Sequence, residues 1–253
     1  MLQFLLSFIC ALFIGTIAGY LGSLMITKKM ALVGGPLGHL ALPGAALALV
    51  YQFNIFLGAL LSIGIGAVFV WHLKSKTKIP MEALVGLVFA FGVALSFLVL
   101  PVDKAESALM GNIESITFLD LILTIALTTI LFFLIRKIYS EMVLIEISEG
   151  LAKVEGIDVK KLNLIYLIAI ALIVALEVKL VGGLMTVAMF VIPAATAQNI
   201  SKNLKQYTGI STAAGGISAA SGVLISRFTA LSAGPLIIIT AAIFFIFSLI
   251  FKK

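Results

Sequence analysis

The strongest constraint in this chain is the recurrence of apolar runs about 20 residues long, each able to cross a hydrocarbon core about 30 Å thick. Nine such segments are legible: Leu2 to Ile26, Met30 to Tyr51, Ile55 to Leu73, Pro80 to Leu100, Ile116 to Ile135, Leu162 to Val178, Leu180 to Ile200, Tyr207 to Ser226 and Ala233 to Phe251. Only short connections separate them. An unpaired backbone amide or carbonyl costs several kcal/mol in lipid, and no alternating barrel pattern is present, so the segments are expected to be α-helices. The expected fold is an all-α integral membrane bundle of about nine spans, forming a single transmembrane domain over residues 1–253. Eight spans is the alternative, because Tyr207 to Ser226 is rich in Gly, Ala, Ser and Thr, a composition that suits close helix packing better than lipid exposure.

Hydrophobic residues make up 62% of the chain and charged residues 11%, against about 45–50% and about 25% in soluble domains. The mean hydropathy is +1.25. So few charges leave no room for a sizeable soluble domain. The net charge of +6 does not point to nucleic acid, because the basic residues sit in short clusters between apolar runs and read as topology signals. With the N-terminus outside, the inner loops hold Lys28 and Lys29, then Lys74, Lys76 and Lys78, then Arg136, Lys137, Lys153, Lys160 and Lys161, then Lys202 and Lys205, and finally Lys252 and Lys253. Lys104, Lys179 and Arg227 fall outside. Nine spans then place the C-terminus inside, in the plasma membrane. Met1 to Tyr20 lacks a basic start and a cleavage site and is expected to be a mature span. Cys10 has no intrachain partner and carries no redox information.

Small residues recur four apart at Gly15 and Gly19, Gly34 and Gly38, and Gly215 and Ala219, a spacing that lets helix backbones approach closely inside a bundle. The longest polar insertion is 140–161, inner by this orientation. Val143, Leu144, Ile147, Leu151 and Val154 fall near one face at helical spacing, and Gly150 and Gly156 supply breaks. The segment is expected to form one or two short helices at the membrane surface. Glu141, Glu146, Glu149, Glu155 and Asp158 argue against simple adhesion to anionic lipid, which favours polybasic segments. A cytosolic protein partner is the better reading.

In the second span His39 lies roughly 14 Å in from Met30, near mid-membrane. An ionisable side chain there is a functional candidate by default. Gly34, Gly35, Pro36, Gly38, Pro43 and Gly44 surround it, so a kink or break is expected at the same depth, of the kind tolerated where a helix lines a cavity. His72 follows Trp71 at the inner interface and reads as structural. Glu82 near the inner surface, and Glu177 with Lys179 near the outer one, read as snorkelling or paired interfacial groups. Pro193 predicts a kink, followed by the small residues Ala194, Ala195, Thr196 and Ala197.

Taken in order, these segments resemble the permease subunits of ABC transporters for zinc, manganese and iron. The family motif is similar to Met-Ala-Leu-hydrophobic-Gly-Asp-Ala-Leu-Ser-His followed by Leu-Pro-Gly; here the run is Met30-Ala31-Leu32-Val33-Gly34-Gly35-Pro36-Leu37-Gly38-His39, with Leu42-Pro43-Gly44. The likeness continues through Glu82 to Ala90, Gly111-Asn112, Glu149-Gly150-Leu151-Ala152-Lys153-Val154-Glu155-Gly156, and Val181-Gly182-Gly183 leading to Ile192-Pro193-Ala194-Ala195-Thr196-Ala197. It implies a dimer of two permeases, a cytosolic ATPase subunit that binds the ATP, and an extracytoplasmic metal-binding protein. It also implies that the inner segment, with Glu146, Glu149, Gly150, Leu151, Ala152, Glu155 and Gly156, is the coupling element for that ATPase. No Gly-x-x-x-x-Gly-Lys-Ser/Thr loop occurs, so hydrolysis falls to another chain. The family places an Asp four residues before the His, and this chain has Gly35 there, so His39 alone remains as a transit ligand for a divalent metal ion.

Three other classes are weighed against this. An ion-coupled carrier normally needs buried charges, and the chain has almost no internal carboxylate. A membrane enzyme is disfavoured because neither His-Glu-x-x-His nor Gly-x-Ser-x-Gly is present. A scaffold explains neither the acidic inner segment nor the second span. Within transport, a permease for an iron chelate or a vitamin is the nearest alternative.

Overall fold

The computed structural model describes residues 2–28, 31–77, 79, 81–99, 111, 113, 116–183, 186–229 and 231–251, with the backbone alone at 31–39, 71, 74, 75, 81, 82, 85, 89, 96, 97 and 99. Among the described residues the elements are α1 (Leu2–Thr27), α2 (Ala31–Tyr51), α3 (Ile55–Lys76), α4 (Met81–Val99), α5 (Phe118–Ile147), α6 (Glu149–Val154), α7 (Val159–Val181), α8 (Thr186–Ile200), α9 (Leu204–Thr229) and α10 (Ala233–Ile250), with no strand. Each expected apolar segment holds a helix. Five of these, α1, α5, α7, α9 and α10, are long and apolar enough to cross a membrane.

At 30 residues, α5 is about 45 Å long, against a hydrocarbon core of about 30 Å. The last turns of α5 therefore stand clear of any hydrocarbon slab, and the helix runs past the expected end at Ile135 to Ile147. It starts from a capping box, in which the Thr117 side chain accepts from the Asp120 amide while Asp120 accepts from the Thr117 amide.

The centre of the bundle is α1, packed against α9, α8 and α5. The approach to α9 is set by the small residues. A Cβ at Gly15 would meet the Gly215 carbonyl and lie 2.6 Å from Ala219 Cβ, and one at Gly19 would meet the Ser211 carbonyl. The Ser211 hydroxyl donates to the Gly19 carbonyl across the same seam. The two expected small-residue pairs thus face each other. The weakly apolar segment forms a full helix whose buried face is Ser211, Gly215, Gly216, Ser218, Ala219, Gly222 and Val223.

Two contacts fix the sense of the bundle. Lys28 Nζ donates to Asn163 Oδ1 at 2.8 Å at one end, and Ser7 Oγ donates to the Ile113 carbonyl at 2.7 Å at the other. The end where α1 begins is called upper below, and the end carrying α6 lower. Between them Tyr166, fully buried, donates to the Leu21 carbonyl at 3.1 Å, and Tyr139 shares a hydrogen bond of 2.9 Å with Ser23. Leu57, Leu61, Ile65, Leu87, Phe91 and Leu98 are exposed on α3 and α4, as expected of a face turned to lipid.

Two sequence expectations are corrected. The helical backbone of α2 is unbroken from Ala31 to Tyr51, through Gly35, Pro36 and Pro43. Packing against α3, α4, α7 and α8 holds it continuous, since neighbouring helices can re-satisfy the backbone groups that proline frees. The Pro43 ring sits over Gly92 of α4, where a Cβ would lie 3.0 Å from Pro43 Cγ. Pro193 lies inside α8, whose helix runs on past it to Ile200. The seventh segment, expected to start at Leu180, starts at Thr186, because α7 extends through Val181 and ends at Gly182, whose φ is +84°.

Candidate functional site

At the lower end, Ser148 serves two helices. Its amide donates to Leu144 O to close α5, and its side chain accepts from the Leu151 amide to cap α6. The short α6 ends in a tight turn at Gly156, with φ +77°, a left-handed conformation that favours glycine. Ile157 N donates back to Ala152 O at 3.0 Å, and Asp158 then caps α7 by accepting from Lys161 N at 3.0 Å. Of the expected coupling residues, Ala152 is the buried peg that seats α6 on the bundle. Glu146, Glu149, Gly150, Leu151, Glu155 and Gly156 are exposed around it. Glu149 pairs with Lys153 at 2.6 Å, one turn apart, and that ammonium holds the Glu149 carboxyl below its usual range. Ile147, Leu151 and Val154 stand exposed beside these charges. The short α6 therefore presents apolar and acidic groups together, and tight connections at Ser148 and Gly156 join it to the long helices on either side.

In the interior, His39, Gly35 and Pro36 lie on the described backbone of α2, and their side chains lie outside the description. The half-buried Pro43 and the buried Pro193 are on α2 and α8, which pack together. His72 is exposed near the end of α3, in keeping with an interfacial position. The side chain of Glu82, and Asn112, lie outside the described residues.

At the upper end is a polar site that the sequence reading missed. Lys179 Nζ donates to Asp120 Oδ2 at 2.5 Å, and the same oxygen accepts from the Thr117 amide at 2.7 Å and from its hydroxyl at 2.6 Å. The pair borders a cavity of about 20 Å³, lined also by Cys10, Ile14, Phe56, Thr124, Leu176 and Leu180, with room for about one water. The Thr-x-x-Asp spacing was the available signal. Lys179 is thus paired, as expected of an interfacial group. Glu177 is not: it is fully buried, and among the described residues neither carboxylate oxygen has a hydrogen-bond partner. Snorkelling fails because Glu177 is one turn below the end of α7, where Ile173, Val174, Leu180 and Val181 are all buried. Among the described residues no group of three or more His, Cys, Asp or Glu gathers to hold a metal ion.

Comparison with known proteins agrees with this architecture along the whole chain. The profile of the ABC 3 transport family matches residues 1–252. The high-affinity zinc uptake system membrane protein ZnuB of Haemophilus influenzae is 32% identical over 92% of this chain and 91% of its own length. The manganese import system permease protein ScaB of Streptococcus gordonii is 28% identical over 95% of this chain and 88% of its own. Among solved structures, PsaBC from Streptococcus pneumoniae in complex with Fab superposes with a TM-score of 0.85 at 27% identity, covering 96% of this chain and 89% of that one. With a polytopic helical bundle, a rigidly capped lower helix and a family match from end to end, the chain belongs to the ABC 3 transport family, as a multi-pass plasma-membrane permease subunit whose ATPase is a separate chain.

Proposed function

We propose that this permease imports manganese or zinc, as a dimer with a second copy of itself or a homologous permease. A cytosolic ATPase is docked on α6, and an extracytoplasmic binding protein delivers the metal to the upper end. The topology is nine crossings with the upper end outside. The observation that carries this reading is α6, a short helix capped by the Ser148 side chain and presenting exposed Leu151 and Val154 between two long helices. Nucleotide-driven movement of the ATPase shifts α6 as a rigid piece, and the helices α5 and α7 on either side carry that shift through the membrane. His39 on α2 is the transit ligand, offering an imidazole that suits either metal. Gly35 supplies no side-chain donor, so the ion is held weakly there, as a transported ion must be.

The test is ATP-driven uptake of Mn²⁺ and Zn²⁺ by the permease–ATPase complex in proteoliposomes. An apolar side chain buried at an interface is worth about 1.5–3 kcal/mol, so Leu151→Asp should weaken ATPase binding by roughly tenfold or more and abolish uptake, with the bundle intact. His39→Ala should leave ATPase binding unchanged and lower uptake. Full uptake in His39→Ala removes that residue from the route, and full coupling in Leu151→Asp removes α6 from the docking surface.

A further inference from the structure

Glu177 sits among the buried apolar residues Ile173, Val174, Leu180 and Val181 of α7. Taking an ionisable group out of water is expensive, and buried charges in proteins are ordinarily paired or bound to metal. Glu177 is fully buried, and among the described residues both its oxygens are unpartnered, while the nearby Asp120 and Lys179 satisfy each other. Inside a membrane such a group marks an ion or proton pathway by default.

Its level follows from the helix register. The Tyr166 bond to Leu21 and the Lys28 bond to Asn163 fix α1 and α7 as antiparallel neighbours. Ascending α7 from Tyr166 to Glu177 therefore reaches the level of Cys10 to Ile14, the part of α1 that shares a cavity with Leu176. Phe56 of α3 lines that cavity too, and Gly58, half a turn below it, packs against Gly44 of α2. Glu177 is thus level with α2 residues near Ala45. That is about six residues, or roughly 9 Å along the axis, above the backbone of His39. α7 packs directly on α2.

We propose that Glu177 is a ligand for the transported divalent cation, an upper carboxylate station from which the ion descends to His39. The proposal rests on the metal-import reading above. It places on α7 the carboxylate that Gly35 does not provide on α2. An oxygen donor followed by an imidazole suits Mn²⁺ and Zn²⁺, and two weak stations in series let an ion enter without being trapped.

The experiment uses the purified permease–ATPase complex in nanodiscs, titrated with MnCl₂ and ZnCl₂ while thermal unfolding is followed, together with ATP-driven Mn²⁺ uptake in proteoliposomes. Glu177→Gln, which keeps size and polarity but not charge, should unfold without metal at a temperature equal to or above wild type. It should lose the metal-induced rise in melting temperature and at least roughly tenfold of the uptake at limiting metal, the lower end of what even outer partners of a metal ligand are worth. Glu177→Asp should retain a weakened response. Glu177→Met, which packs as an apolar residue, separates ligand loss from misfolding: a folded Met or Gln variant with the wild-type metal response and uptake overturns the proposal while leaving metal import standing. A wild-type complex that responds to neither metal overturns both readings.

Discussion

The seam between α1 and α9 allows a quantitative test of how the bundle is held. Gly15→Ala adds one methyl group that would stand 2.6 Å from Ala219 Cβ and against the Gly215 carbonyl, whereas ordinary contact begins at 3.4 Å. The two helices must part by at least about 0.8 Å, and overpacking of this kind costs about 1–3 kcal/mol. The bond from the Ser211 hydroxyl to Gly19 O stretches with it, and interhelical hydrogen bonds in membranes average about 0.6 kcal/mol. Alanine returns up to about 1 kcal/mol through its better helix propensity. The net loss is therefore about 1–2.5 kcal/mol. Gly64→Ala is the control, because a Cβ there meets nothing within 4 Å and only the propensity gain remains. The two variants should differ by about 2–3.5 kcal/mol, or roughly 4–14 °C in melting temperature for a chain of this size, measured by thermal unfolding in nanodiscs. A Gly15→Ala variant as stable as Gly64→Ala would refute the claim that backbone contact at this seam sets the helix spacing.

Two further outcomes follow from the charged groups. Asp120 and Lys179 are mostly buried partners, so Asp120→Asn and Lys179→Met should each destabilise by about 1–3 kcal/mol, and the double variant should fall short of the sum by at least about 0.5 kcal/mol in a thermal double-mutant cycle, the floor for groups in contact; strict additivity would show that the pair contributes nothing. The Glu149 carboxyl is held below its usual range by Lys153, so its pairing supports α6 above the ordinary carboxylate range and is lost as pH falls through the lowered value. The hydrogen-exchange protection factors of the α6 amides, exchange rates corrected for their intrinsic pH dependence, should fall over that window in the wild type and stay flat in Glu149→Gln.

The short helix α6 was readable because its signals are local. Gly156 supplies the expected break, but Gly150, the other one expected, lies inside α6, and the break before the helix falls at Ser148, whose side chain caps it. The motif around His39 was readable as a pattern but not as a shape. The prolines and glycines of α2 predict a break that packing against neighbouring helices overrides. Glu177 was misread for a related reason: near the end of an apolar run beside Lys179, it looks interfacial, and nothing in the neighbouring residues records that the whole circumference of α7 is covered there.

The sequence by itself determined that this chain is a helical membrane bundle and where its helices lie, because the absence of water in the hydrocarbon forces every long apolar run into one backbone form. It also marked Gly15, Gly19, Gly215 and Ala219 as residues able to form a close seam, since spacing on a helix is fixed by its pitch. Only the tertiary structure decided which seams meet, that Lys179 is satisfied by Asp120, and that Glu177 is buried with no partner among the described residues. Those outcomes depend on which helices become neighbours, and contacts between residues distant in the chain are set by the packing of the whole bundle.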